Sequence, residues 1–301
     1  MSAIIRKGRI SMEKYDIASL LKALNVKQDI FICGPSYSKK TTLRVYAYCG
    51  ILCGLPTNPQ GKISLPDEQY LPSNSPLRAV FNGLQSNEER EEFLQKHLDE
   101  LLLFMEKRSF AVSGDCDERS QQTTISRGHT DFQRHNGTVV CDFQSSIPTT
   151  WLPDGISRPN FDMVTFSPNE NTFTLVELKC TASSCGGENG LKKHADDMLR
   201  CVSNDSYREE LLRRLGYMCE YGLLQNCPTG LEHLRPEELN LQAAFLFTSG
   251  KGLESCEKAA ALCKEYIPEE DLDKFRYCFA GSPRAVDLSH MESWNTFSSH
   301  Q

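Results

Sequence analysis

Two kinds of periodicity alternate along the second half of the chain. TVVCDF, beginning at Thr138, is a short apolar run and predicts a strand. FDMVTF and TFTLVELK follow, separated by Ser167 and the turn-rich Pro168-Asn169-Glu170-Asn171, and predict a β-hairpin. Apolar positions at helical spacing place helices over residues 190–202 and 207–224. LQAAFLFT reads as a buried strand, residues 255–266 as a helix, and 276–279 and 285–288 as short strands. The first half is less regular. Ile17, Leu20, Leu21 and Leu24 mark a helix over 13–26, DIFIC is a brief apolar run, and a helix is expected from Leu43. Residues 55–78 have loop composition. Phe93, Leu94, His97, Leu98, Leu101, Leu102 and Met105 then line one face of a helix over 87–107. The polar run from Ser113 to Gly137 shows no apolar period and predicts a mobile stretch.

The hairpin carries the chemistry. If Phe166 meets Phe173 and Ser167 meets Thr172, Asp162 falls opposite Glu177. Lys179 shares the face of Glu177, one step beyond it, because strand side chains alternate. Two carboxylates and a lysine thus converge at one end, with Val164, Leu175, Phe166 and Phe173 farther along as core. Phosphodiester hydrolysis needs an activated water and a stabilised leaving oxygen, which divalent metal ions held by carboxylates supply. The competing reading is a solvent-facing Asp/Glu/Lys cluster stabilising a hairpin by less than about 1 kcal/mol. Pro153-Asp154 offers a rival carboxylate, but it precedes Gly155 upstream of the strand and reads as a turn.

Asp162 followed by Glu177-Leu178-Lys179 resembles the PD-(D/E)xK nuclease superfamily, and the order helix, three strands, helix, strand agrees with it. The resemblance implies an α/β restriction-endonuclease-like core (αβββαβ, a mixed central sheet flanked by helices) over 86–301. Residues 1–85 find no place in it and are expected to form an α-rich extension. It implies a metal-dependent nuclease acting on DNA before RNA, using Mg²⁺ or Mn²⁺. Asp162 and Glu177 would be metal ligands, the Leu178 backbone carbonyl a third contact, and Lys179 the group that positions or activates water. An acidic residue on the preceding helix often completes such a site: Glu100 is the nearest candidate, with Asp99 and Glu92 as rivals. Lys192, Lys193 and His194 open a helix whose N-terminus suits phosphate, and Arg208 is a further candidate nucleic-acid contact. The Gln-x-x-x-Tyr pair of RecB-type exonucleases is missing from KKHADDMLRC. Many such nucleases dimerise to cut both strands, so a homodimer is also implied.

Composition narrows the setting. With 301 residues, 39% apolar and 24% charged, the chain is long and balanced enough for a folded core. A net charge of −7 gives no global attraction to nucleic acid. Neither a membrane-spanning run nor a secretory leader is expected, which points to a cytoplasmic or nuclear protein. Thirteen cysteines include no CxxC pair and no zinc or iron–sulfur spacing. They read as reduced, buried small hydrophobes, Cys33, Cys141 and Cys180 on strands and Cys49 with Cys53 on a helix. Two alternatives to a nuclease remain. One is an inactive nucleic-acid-binding module on the same fold. The other is a degenerate P-loop, Gly34 to Thr41, in which Lys39 replaces the second glycine before Lys40.

Overall fold

The computed structural model describes residues 18–25, 27, 30–35, 42–48, 50–58, 60–65, 71–113, 118–152, 159–185, 190–248, 258, 261 and 267–296. They are mixed α/β, with helices and two sheets, and the chain divides into two compact units, residues 1–123 and 124–301. Among the described residues no helix is long and apolar enough to cross a membrane.

The first unit begins with helix α1, Ala18–Asn25, which buries Leu20, Leu21 and Leu24. Three antiparallel strands follow in the order β1 (Ile30–Cys33), β2 (Thr42–Ala47) and β3 (Gly50–Pro56). The expected helix from Leu43 is therefore a strand, and the expected α-rich extension contains a meander. The misreading has a physical reason: nearly every residue of these strands is buried, so they lack the alternation that reveals a half-exposed strand. The reversal between β2 and β3 passes through Tyr48 at φ 47°, a residue with no turn signature. Cys53 lies on β3, not on a helix, and Cys49 lies outside the described residues. Gly54 admits the close approach of Ser64, whose Oγ would stand 2.8 Å from an added Cβ.

The same correction removes the P-loop's supporting element. A phosphate loop presents its N–H groups at the start of a helix, but the segment following Gly34 to Thr41 is β2, paired antiparallel with β1. Lys40 and Thr41 themselves lie outside the described residues. Helices α2 (Pro76–Gly83) and α3 (Asn87–Ser113) follow. Phe93, Leu94, Leu98, Leu101, Leu102 and Met105 of α3 are buried as expected. Helix α3, expected to belong with the second half from residue 86, falls wholly within the first unit. Helix α4, Glu118–Gly128, crosses the division and occupies the middle of the stretch expected to be mobile. Its buried positions include Gln122, Thr123, Ser126 and Ile125, a mostly polar set that gives no apolar period to read.

The second unit is built on a sheet of order β4-β5-β6-β7-β8-β9. Its strands are β4 (Val139–Ser146), β5 (Asn160–Ser167), β6 (Thr172–Lys179), β7 (Asn240–Thr248), β8 (Phe275–Ala280) and β9 (Glu292–Ser293). β4-β5-β6 run antiparallel, β6-β7-β8 parallel, and β9 returns antiparallel. The sheet is therefore mixed. A parallel step from β6 to β7 requires a crossover, and helices α5 (Leu191–Val202) and α6 (Asp205–Glu220) supply it. Asn204 caps α6 by accepting the Tyr207 N–H at 2.9 Å. Every residue of β6 is buried, as expected for a strand covered on both faces. Residues 285–288 form no strand: Ala285 ends a single 3₁₀ turn, Pro283–Ala285, and the edge strand is β9 instead. The helix expected over 255–266 lies almost entirely outside the described residues.

Candidate active site

The hairpin register is the expected one. Ser167 pairs with Thr172, Phe166 with Phe173, Val164 with Leu175 and Met163 with Val176. Asp162 and Glu177 are the next residues of their strands toward the open end. The bend Pro168–Asn171 closes through the Asn171 N–H to the Pro168 carbonyl, with Asn171 at φ 49°. Asparagine tolerates that conformation better than most residues, which is why the turn was legible.

The three side chains are buried: Asp162 is 6% exposed, Glu177 3% and Lys179 4%. Lys179 Nζ donates to Glu177 Oε1 at 2.8 Å. His194 Nε2 stands 3.0 Å from the same oxygen. Asp162 Oδ2 accepts the Leu178 backbone N–H at 2.7 Å, and Gln144 Nε2 reaches Asp162 Oδ1 at 3.4 Å. The backbone hydrogen bond holds the Asp162 carboxylate against β6. Two carboxylates against one lysine leave a net negative charge when His194 is neutral. Carboxylate oxygens of this kind are the donors a hard divalent cation takes.

His194 was expected as a phosphate contact on a helix N-terminus. The structure brings it onto Glu177, because the first turn of α5 lies at the end of β6. Lys193 instead pairs with Asp197 of its own helix at 3.0 Å, and Arg208 with Asp205 at 3.2 Å. Lys192 is exposed. Leu178 enters through its N–H. Glu100 belongs to the first unit, on the outer part of α3, where its carboxylate lies 3.1 Å from His97 Nδ1. Asp154 lies outside the described residues. Sequence reasoning missed Gln144. It sits in β4 at φ 49°, a backbone region costly for a residue with a γ-carbon chain, and β4 also slips register between Val140 and Asp142. No residue type in VVCDFQSS signals that slip.

Two other charged groups are structural. Arg214 of α6 is buried and its guanidinium reaches Asp142 of β4, Glu210 Oε1 at 2.9 Å and Ser145 Oγ at 3.0 Å. Tyr207 closes the network on Ser145 at 2.6 Å, and burial pushes its phenol well above the ordinary range. The second group is His129, His135 and Asp287, whose ligand-type atoms lie within 4.8 Å of one another. The Leu288 N–H points at His129 Nε2 at 3.3 Å, so that nitrogen accepts and Nδ1 donates to the Ile125 carbonyl at 2.9 Å. The His129 and His135 rings stack with centres 4.0 Å apart. Two imidazoles on one tetrahedral ion would hold their centres about 5 Å apart, so this cluster reads as a packing clamp. Burial lowers His129 to about 4 and keeps it neutral. Burial tends to raise Asp287, but hydrogen bonds from Ser289 and His290 outweigh it and hold the carboxyl at about 2.

Compared with known proteins, the chain matches no family model, no curated protein and no solved structure.

Proposed function

We propose that this chain is a metal-dependent nuclease with a restriction-endonuclease-like core, and that Asp162, Glu177 and Lys179 are its catalytic group. One observation carries the reading: the charged end of the hairpin is buried, not solvated. A hairpin gains less than about 1 kcal/mol from cross-strand charge pairing, whereas removing charges from water costs several kcal/mol per ion. Burying three ionisable groups in register at one strand end is therefore expensive for stability alone, and such clusters concentrate at functional sites. The β-bulge and the left-handed Gln144 beside Asp162 add a second local irregularity of the kind found near active sites.

In this reading Asp162 and Glu177 would hold Mg²⁺ or Mn²⁺, with the Leu178 carbonyl as a further contact. The bound ion would activate water and neutralise the leaving oxygen. Lys179 keeps a proton donor beside Glu177 and positions the attacking water. His194 fixes the Glu177 carboxylate from the helix side. The Leu178 N–H fixes Asp162, so both carboxylates enter the reaction already oriented. DNA before RNA as substrate, and a homodimer as the acting form, belong to the same proposal.

A second reading has its own support. Glu177 Oε1 is engaged by both Lys179 and His194, which is how a buried ion pair without catalytic duty would be satisfied. It favours an inactive nucleic-acid-binding module. Incubation of the full chain with single- and double-stranded DNA and RNA, in Mg²⁺, Mn²⁺ or EDTA, separates the two. The nuclease reading expects cutting that EDTA abolishes. Binding without cutting in every metal would replace it with the module.

A further inference from the structure

Nine of the thirteen cysteines lie among the described residues, and Cys219 and Cys227 are free thiols. Six are buried, as expected of small hydrophobes, but Cys219 and Cys227 are only half-buried and face each other. Cys219 occupies the last turn of α6. The chain then reverses: the Leu223 and Leu224 N–H groups both turn back to the Met218 carbonyl, at 2.8 and 3.3 Å. Gly222 at φ 65° and Asn226 at φ 53° supply the left-handed steps this reversal needs. The reversal returns Cys227 to the helix end, where its Sγ lies 2.7 Å from the Sγ of Cys219. Non-bonded heavy atoms attract at about 3.5–4.0 Å, and a disulfide bond is about 2.0 Å long. The two sulfurs are thus closer than any packing contact, and the backbone that brings them together is held by its own hydrogen bonds.

We propose that Cys219 and Cys227 are a disulfide-forming pair that is oxidised by exchange with a low-molecular-weight disulfide. Deprotonated Cys227 attacks one sulfur of that disulfide, forming a mixed disulfide and releasing one small thiol. Deprotonated Cys219 then attacks the Cys227 sulfur, closing the protein bond and releasing the second thiol. One small disulfide is reduced to two thiols and one protein dithiol is oxidised, so electrons and protons balance. The hydrogen bond shared with Cys219 lowers the Cys227 thiol, while that same contact and burial raise Cys219. Cys227 lies in the loop beside the exposed Gln225 and Asn226, where a small disulfide reaches it, so it is the first nucleophile, and Cys219 on α6 is the resolving thiol.

The cross-link would do more than close a short ring. The Gln225 N–H donates to the Thr130 carbonyl at 2.8 Å, and the Phe132 N–H to the Gln225 carbonyl at 3.1 Å. Asn226 Nδ2 donates to Asp131 Oδ1 at 2.7 Å. The loop between the cysteines is thus already fastened to residues 130–132. Oxidation would tie the C-terminal end of α6, the helix that carries Arg214, covalently to the loop that is hydrogen-bonded to that segment. The inference is independent of the nuclease reading.

The full chain, reduced and freed of reductant, would be incubated with oxidised glutathione and followed by intact mass, peptide mapping and melting. Protease Glu-C cuts after Glu220, between the two cysteines, so the bond holds two peptides together until reductant is added. The expected result is a mass lower by two hydrogens, no retained glutathione, and that linked peptide pair. The melting temperature should rise by roughly 5 °C, reversibly with dithiothreitol. Cys219→Ser should stop at one glutathione attached to Cys227. The proposal is overturned if both thiols of the treated wild type still alkylate, if glutathione stays on Cys227 with Cys219 intact, or if Cys227 pairs elsewhere, such as with Cys141.

Discussion

Glu177 concentrates the question of what this protein does in one side chain. Its carboxylate meets a lysine two residues along the strand and a histidine from the next helix, all within 3.0 Å. Glu177→Gln keeps the shape and both neighbours while removing the charge a metal needs. We expect it to lower cleavage by about a hundredfold or more, as read by single-turnover kinetics, and also to lower the melting temperature, because Lys179 stays buried without its carboxylate. Gln144 makes a different prediction. Glycine adopts φ 49° without the penalty a longer side chain carries. Gln144→Gly should therefore hold or raise the melting temperature while slowing cleavage, because Asp162 loses a neighbour. A lower melting temperature with unchanged cleavage would mean that Gln144 serves the fold alone.

The hairpin of β5 and β6 was fully legible because its two runs flank a turn whose residues tolerate left-handed backbone. Its register follows from the turn, and the register alone set Asp162 beside Glu177. The burial of that pair was not legible, since it depends on β7 and α5, which arrive more than ten residues later in the chain. β2 and β3 were misread because their residues are buried on both faces, leaving no alternation. α4 was missed for the opposite reason: Gln122, Thr123 and Ser126 are buried, and a polar inner face looks like a loop in sequence. The α6–β4 contact was not legible: Arg214 pairs with Glu210 of its own helix, but its reach to Asp142 needs the fold. Arg214→Met would leave Asp142 and Glu210 buried without their shared cation. The expected loss is about 3–5 kcal/mol in urea unfolding, whereas replacing Asp142 and Arg214 together by apolar residues should recover part of it.

Across the whole chain, acid sensitivity follows from the His129 clamp. His129 ordinarily titrates near 6.5 and folding lowers it to about 4. The unfolded chain binds the extra proton between those values, so stability is full above about 6.5 and declines as pH falls toward 4, by up to about 3 kcal/mol. Asp287, lowered from 3.8 to about 2, adds a further decline over that more acidic window. Urea midpoints measured from pH 7 to 4 should show the first slope, and His129→Gln should flatten it. The nuclease proposal rests on the second unit, where the sheet, the crossover helices and the buried charges are all found. Lys179 tests it most directly, because a structural lysine and a catalytic one differ in what their loss changes. Single-turnover cleavage in saturating Mn²⁺, with Lys179→Met beside the wild type and both checked for folding by melting, is the decisive measurement. The account predicts metal-dependent cutting by the wild type and a loss of about a hundredfold or more in the folded variant. Equal rates in the two proteins would contradict it.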